Sequence, residues 1–249
     1  WFSDLGGRLL NTRLSAFAVA PFVRANQIDL TMCEKRHFTS YNDFFTRRLR
    51  PEARPVDVSP EAFISPCDAR LSVYPITQEG TFCIKHTQYT LPQLLDDTLL
   101  AQRFEGGMLW IYRLCVDDYH RYIYPVDAKK SRNVRIPGIF HTVNPIAVES
   151  VPVFKQNARE YTLLKTRMFG TLVQMEVGAL MVGRICNEKE EGIVRKGEEK
   201  GYFEFGGSTI ILFIQKDRIA LEETFLANTR KGIETKVQMG QRLGKSCQN

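Results

Sequence analysis

Apolar residues over the first 24 positions, Leu5, Leu9, Leu10, Leu14, Phe17, Ala18 and Phe22, recur every three or four residues. That spacing predicts an amphipathic helix over 4–24, bent near Pro21 because a proline inside a helix removes a hydrogen bond and crowds the turn before it. Ser40, three residues ahead of Asp43 and followed by Phe44-Phe45, predicts a short capped helix closed by Arg47, Arg48, Arg50 and Pro51. Then the pattern changes. Residues 71–76, 108–114, 172–177 and 209–214 are β-branched or aromatic runs separated by glycine, proline or charged turns, which predicts strands. Residues 91–103 form the one internal segment that reads as helix. The expected fold is α+β, with N-terminal amphipathic helices followed by a largely antiparallel β-rich core.

The chain has 249 residues, 43% hydrophobic and 25% charged, enough for one full core, and this excludes both disorder and a disulfide mini-scaffold. No apolar run approaches the roughly 20 residues of a membrane-spanning helix. The start, Trp1-Phe2-Ser3-Asp4, has neither an initiator methionine nor a signal-peptide layout, and is expected to lie inside a longer chain. Cys33, Cys67, Cys83, Cys115, Cys186 and Cys247 are far apart, which reads as a reduced cytosolic protein without structural zinc.

Charge adds one asymmetry. Of the net +6, residues 1–54 carry +4, from nine Lys or Arg against five Asp or Glu. Such an excess suits phosphate, on nucleic acid or an anionic lipid surface, as well as a plain solvated face. Trp1, Phe2, Arg8, Arg13 and Arg24 on the first helix fit a membrane interface, and packing of the same stripe onto the protein's own core fits equally. Nucleic acid is disfavoured, because the aromatics are scattered through apolar strands instead of alternating with cations.

Candidate chemistry is sparse. Of the four histidines, His37 and His86 have no second ligand at metal-binding spacing. His120 follows Asp117-Asp118-Tyr119 just after a predicted strand, where a neighbouring carboxylate would fix its tautomer; the alternative is a surface histidine. Gly206-Gly207-Ser208-Thr209 precedes an apolar strand, and its glycines permit a backbone in which the Ser208 hydroxyl meets the preceding carbonyl carbon; the alternative is a hairpin turn. Asp68, in Ser65-Pro66-Cys67-Asp68, reads as a turn residue bonding nearby amides, with Cys67 as a small buried apolar neighbour. His141 lies in a polar loop with Asn144, and Glu176 reads as a solvated glutamate.

Taken in order, these segments resemble the phosphatidylserine decarboxylase family nearly end to end. The resemblance rests on Phe44-Phe45-Thr46-Arg47-Arg48-Leu49 with Ala53-Arg54-Pro55, Ser65-Pro66-Cys67-Asp68, Asp118-Tyr119-His120-Arg121 and Val143-Asn144-Pro145-Ile146-Ala147. Glu176-Val177-Gly178-Ala179, Gly197-Glu198-Glu199-Lys200-Gly201-Tyr202-Phe203 and Gly206-Gly207-Ser208-Thr209 complete it. It implies a self-processing proenzyme whose chain is cut between Gly207 and Ser208, leaving a β chain to Gly207 and an α chain from Ser208. Ser208 then becomes a covalent pyruvoyl group, an electron sink for decarboxylating phosphatidylserine to phosphatidylethanolamine. Asp68 would be an orienting carboxylate and His120 the proton donor, and the motif around Glu176 would place that residue on a strand close to the site, against its reading as a solvated glutamate. The resemblance also implies a homodimer, peripheral on the cytoplasmic face of an anionic membrane, with residues 1–54 as a helical, membrane-associating segment and 55–249 as the catalytic domain.

One departure bears on mechanism. The family usually has a second histidine three positions after the first, paired with the aspartate as self-cleavage base, and here that position is Ile123. Three outcomes follow: His120 or the stand-in His141 serves as base, cleavage is slow, or the chain stays uncut. The alternatives kept open are a pyruvoyl decarboxylase of a soluble amino acid and an unprocessed, non-catalytic membrane-associated homologue.

Overall fold

A computed structural model describes residues 9–84, 87–138, 157–178, 184–204 and 208–247. Two expected segments differ at the helices. Instead of one continuous N-terminal helix there is a 3-10 helix, Arg13–Ala18, followed by α1 (Val19–Ala25). The Ser15 hydroxyl donates to the carbonyls of Leu10 at 2.8 Å and Thr12 at 2.6 Å, offering the backbone an alternative to α-helical bonding. Pro21 lies in the first turn of α1, where a missing N–H is tolerated. The helix expected over 91–103 is split into α3 (Leu91–Leu95) and α4 (Thr98–Gln102) by Asp96, which is left-handed at φ 53°. Asp97 then caps α4 by accepting from Leu100 N–H at 2.9 Å.

Between these lies α2 (Tyr41–Phe45), begun as expected by Ser40, whose hydroxyl accepts from Asp43 N–H at 3.1 Å. Its Tyr41, Phe44 and Phe45 are buried with Val19, and Phe22 packs edge-on against Tyr41 and Phe44 at 5.5 and 5.9 Å. The N-terminal stripe therefore divides: one part packs on the protein, while Leu9, Leu14 and Phe17 remain 59%, 77% and 81% exposed.

The rest is strand. In chain order these are β1 (Ala62–Ile64), β2 (Ala69–Pro75), β3 (Thr81–Ile84), β4 (Thr87–Thr90), β5 (Met108–Leu114), β6 (Arg121–Ile123), β7 (Ala128–Lys130), β8 (Val134–Ile136) and β9 (Arg159–Lys165). They continue with β10 (Thr171–Gly178), β11 (Ile185–Asn187), β12 (Gly192–Val194), β13 (Glu199–Phe203), β14 (Ser208–Ile214), β15 (Ile219–Leu221), β16 (Thr235–Val237) and β17 (Arg242–Ser246), with α5 (Glu223–Arg230) before β16. A nine-stranded sheet in the order β12-β7-β9-β10-β14-β5-β2-β16, with β8 beside β9, forms the centre, and three-stranded sheets β1-β17-β15 and β11-β13-β6 accompany it. Every pairing among the described residues is antiparallel.

β14 explains its own sequence. It is buried at every position, with Ile210, Leu212 and Ile214 in one apolar cluster and Ile211 and Phe213 in the other. A strand covered on both faces has no reason to alternate polar residues, which is why 209–214 reads as a near-continuous apolar run. Its polar residues are confined to the start, Ser208 and Thr209.

Candidate active site

Four strands of the large sheet end together around Ser208, the first residue of β14. It pairs with Gly178, the last residue of β10, and with Leu114, the last of β5. β2 begins at the same end, because Arg70 lies opposite Arg113, which sets Asp68 just beyond the strand beside it. From Leu114 the chain turns through Cys115, whose N–H donates to Asp118 Oδ2 at 2.7 Å, and reaches His120 immediately before β6. The His120 carbonyl accepts from Phe203 N–H at 3.0 Å, which ties it to the end of β13. The sheet register thus brings Ser208, Asp68 and His120 to one end of the fold. Gly207 and His141 lie outside the described residues, as do Asn144, Ala179 and His86.

His120 is fully buried, contrary to the surface alternative. Its ring lies 3.9 Å from the Phe45 ring, and its Nδ1 is 3.0 Å from the Asp118 carbonyl. A carbonyl only accepts, so Nδ1 carries the hydrogen and the lone pair sits on Nε2, which has no hydrogen-bond partner among the described residues. Burial, reinforced by the Arg47 guanidinium, pushes the imidazole down to about 3. The ring is neutral in the free chain.

Asp68 is held differently from the expectation that it bonds nearby amides alone. Arg54 Nε donates to both carboxylate oxygens, at 2.7 and 3.0 Å, and Arg54 Nη2 donates to Oδ2. Met239 N–H, far along the chain, donates to Oδ1 at 2.9 Å. Gly240 makes that approach possible: its φ is +85°, and a Cβ there would lie 2.5 Å from the Pro55 carbonyl. Asp68 therefore ties three segments together. Asp118 is raised from the usual carboxylate range by burial, with Asp117 and Asp68 adding repulsion.

Ile123 is buried at the end of β6, with its N–H bonded to the Pro66 carbonyl at 2.9 Å. Cys67 is fully buried, as expected, and burial pushes its thiol up.

Glu176 corrects the sequence reading. It is fully buried, and its Oε2 accepts from Lys200 Nζ, also fully buried, at 2.6 Å. Lys200 also donates to Asn187 Oδ1 at 2.7 Å, and Asn187 Nδ2 bonds Glu160 Oε1 at 2.6 Å and Glu176 Oε2 at 3.3 Å. Burial raises Glu176 and lowers Lys200, each opposed by the other's charge. Gly201 lets β13 press against β11 beside this pair, since a Cβ there would stand 2.0 Å from the Cys186 carbonyl. Glu176 faces Ile210 in the register and Gly178 faces Ser208, so Glu176 and Ser208 are diagonal neighbours on one sheet face.

Ser208 Oγ, Thr209 Oγ1 and His120 Nε2 at this end of the sheet, and Glu176 Oε1 and Gln174 Oε1 farther along β10, are buried without a hydrogen-bond partner among the described residues. Native interiors pair most such groups, so the unmet Ser208 and His120 atoms single out this end as the candidate site. Arg47, Arg54 and Lys200 lie within motifs quoted above, where the sequence assigns them no part in the site, and Asn187 lies outside every motif. Lys200 had a signal: a lone cation beside Gly201 in a strand-forming stretch.

Comparison with known proteins agrees with this geometry. The sequence model of the phosphatidylserine decarboxylase family matches residues 41–245. A protein of Clostridium perfringens strain SM101, "Phosphatidylserine decarboxylase proenzyme", is 42% identical over 248 residues, 98% of this chain and 84% of the relative. "Phosphatidylserine decarboxylase proenzyme 2" of Clostridium acetobutylicum is 40% identical over 245 residues, with 98% and 84% covered. A proenzyme of the same name from Ruminiclostridium cellulolyticum is 38% identical over 248 residues, with 98% and 83% covered. With a family match over most of its length and relatives this similar across nearly all of it, the chain belongs to the phosphatidylserine decarboxylase family.

Proposed function

We propose that this protein is a self-processing phosphatidylserine decarboxylase, which converts phosphatidylserine to phosphatidylethanolamine and CO₂. The relatives are named phosphatidylserine decarboxylase proenzymes, and a proenzyme implies processing. The observation that carries the reading is Ser208: a serine with a buried, unpartnered hydroxyl at the start of the central strand, at the end of the fold that also holds His120 and Asp68. A structural serine would have its hydroxyl bonded, whereas a reacting one keeps it available.

The cut falls between Gly207 and Ser208, giving a β chain that ends at Gly207 and an α chain that begins at Ser208. Ser208 becomes a pyruvoyl group, which supplies the electron sink into which the carbon–carboxylate bond electrons move. The chain's own residues then do three things. Asp68, fixed by Arg54 and Met239, holds residues 54, 68 and 239 together around the site. The Phe45 ring and the Asp118 carbonyl orient the imidazole of His120 with Nε2 unbonded. Burial and, after it, Arg47 disfavour the charged ring; the substrate's carboxylate and phosphate bring negative charge that favours it, so that His120 takes up the proton that it then hands to the α-carbon. His141 remains a stand-in proton carrier.

The protein works as a peripheral membrane protein on the cytoplasmic face, as a homodimer, with residues 1–54 as its membrane-associating segment. Exposed Leu9, Leu14 and Phe17, next to Arg13 and Arg24, support this, since rings and aliphatic chains enter the interface while cations meet anionic headgroups. No described helix is long and apolar enough to cross a membrane. The test is Ser208→Ala: CO₂ release from phosphatidylserine vesicles and chain cleavage should both disappear, and decarboxylation by the uncut variant would refute the reading.

A further inference from the structure

Self-cleavage needs a group that takes the proton of Ser208 Oγ, and three candidates at this end of the sheet are poorly suited. Ile123 has no basic atom. Asp68 has both carboxylate oxygens bonded, by Arg54 and by Met239 N–H. His120, buried beside a guanidinium, is a weak acceptor in the free chain.

Glu176 meets the requirement. It is two residues from the position opposite Ser208 and on the same face of the neighbouring strand, within the diagonal reach of a long side chain. Gly178, directly opposite Ser208, has no side chain to stand between them. Lys200 and Asn187 hold Oε2, which fixes the carboxylate while leaving Oε1 unbonded. Ser208 Oγ is unbonded as well. Two unmet buried oxygens, one a carboxylate and one a hydroxyl, thus belong to diagonal positions on the same face of adjacent strands.

The geometry points to Glu176 as the general base that activates Ser208 for self-cleavage, held in place by Lys200 and Asn187; this rests on the self-processing reading above. The Ser208 hydroxyl proton passes to Glu176 as Oγ bonds the Gly207 carbonyl carbon. The Gly207–Ser208 C–N bond then breaks, and the nitrogen takes that proton back as it leaves, giving an ester and a free amine. Transfer of the Ser208 α-proton to water, its electrons forming a Cα–Cβ double bond, then breaks the Cβ–Oγ bond and frees the Gly207 carboxylate. Water then replaces nitrogen, which departs as ammonia. No oxidant or reductant is required.

The test follows cleavage of the full chain during timed cell-free synthesis, by denaturing intact mass, for Glu176→Gln and for Glu176→Gln with Lys200→Met. The double variant leaves no unpaired buried cation, so it covers the case in which the single one fails to fold. Both should be cut at least about 100-fold more slowly than the wild type, the low end of what a general base contributes. The stalled chains should also resist hydroxylamine, which cleaves esters and spares amides. Wild-type cleavage rates in either folded variant, or a hydroxylamine-sensitive ester at residue 207, would overturn the assignment. An uncut wild-type chain would remove the self-processing reading itself, and the base with it.

Discussion

Replacing Lys200 by methionine should be among the most damaging single changes to this fold. The ammonium and the Glu176 carboxylate are both fully buried, 2.6 Å apart, and the substitution leaves Glu176 with Asn187 as its only described side-chain donor. Removing one partner of such a pair costs about 3–5 kcal/mol, because the remaining charge stays out of water uncompensated. For a chain of this size each kcal/mol lowers the melting temperature by about 2–4 °C, so a fall of roughly 6–20 °C is expected. Melting should be compared in a Ser208→Ala background, so that every sample is one uncut chain. Glu176→Gln in the same chain, alone and with Lys200→Met, completes a double-mutant cycle whose coupling should reach about 2 kcal/mol. The pH dependence adds a check. Without Lys200, burial and the nearby Glu160 charge, opposed only by the Asn187 hydrogen bond, hold the folded pKa of Glu176 above its unfolded value of about 4.3. The protonated form is then the stable one, so Lys200→Met should be least impaired at low pH and lose stability as pH rises through the raised folded pKa. A loss below about 1 kcal/mol with near-zero coupling would show that the pair is not buried as described.

Other outcomes follow from the same site. His120→Gln should be cut like the wild type but lose CO₂ release by at least about 100-fold, the contribution of one proton-transfer group; uncut chain would show that His120 also serves cleavage. Arg54→Leu should lower the melting temperature by several degrees, because Asp68 would keep only Met239 N–H among its present partners. Leu14→Glu with Phe17→Glu should abolish flotation on phosphatidylserine vesicles without moving the melting temperature, since both side chains are exposed; unchanged flotation would place the membrane surface elsewhere.

Much of the fold was legible because strands and caps are local. The apolar run of β14, the Ser40 cap and the β-branched stretches of β5 and β10 each announce themselves over a few residues. The helix expected over 91–103 was misjudged for an equally local reason: its apolar residues keep helical spacing, but Asp96 takes a left-handed turn and Asp97 begins a second helix. The site was legible in its motifs and not in its partners. Asp68 could be picked out, yet nothing in the sequence links it to Arg54 or to Met239, a contact across 171 positions. Glu176 reads as solvated because a single carboxylate in a strand usually is, and only the facing sheet, which brings Lys200 over it, reverses that.

The central claim is that Ser208 is both the cutting nucleophile and the precursor of the reactive group. Denaturing intact mass of the purified protein tests it most directly. The account predicts two chains, one ending at Gly207 and one beginning at Ser208, the latter lighter by one ammonia than a fragment that simply begins with serine. A single uncut chain, or a chain beginning at Ser208 that still carries its serine amine, would contradict it.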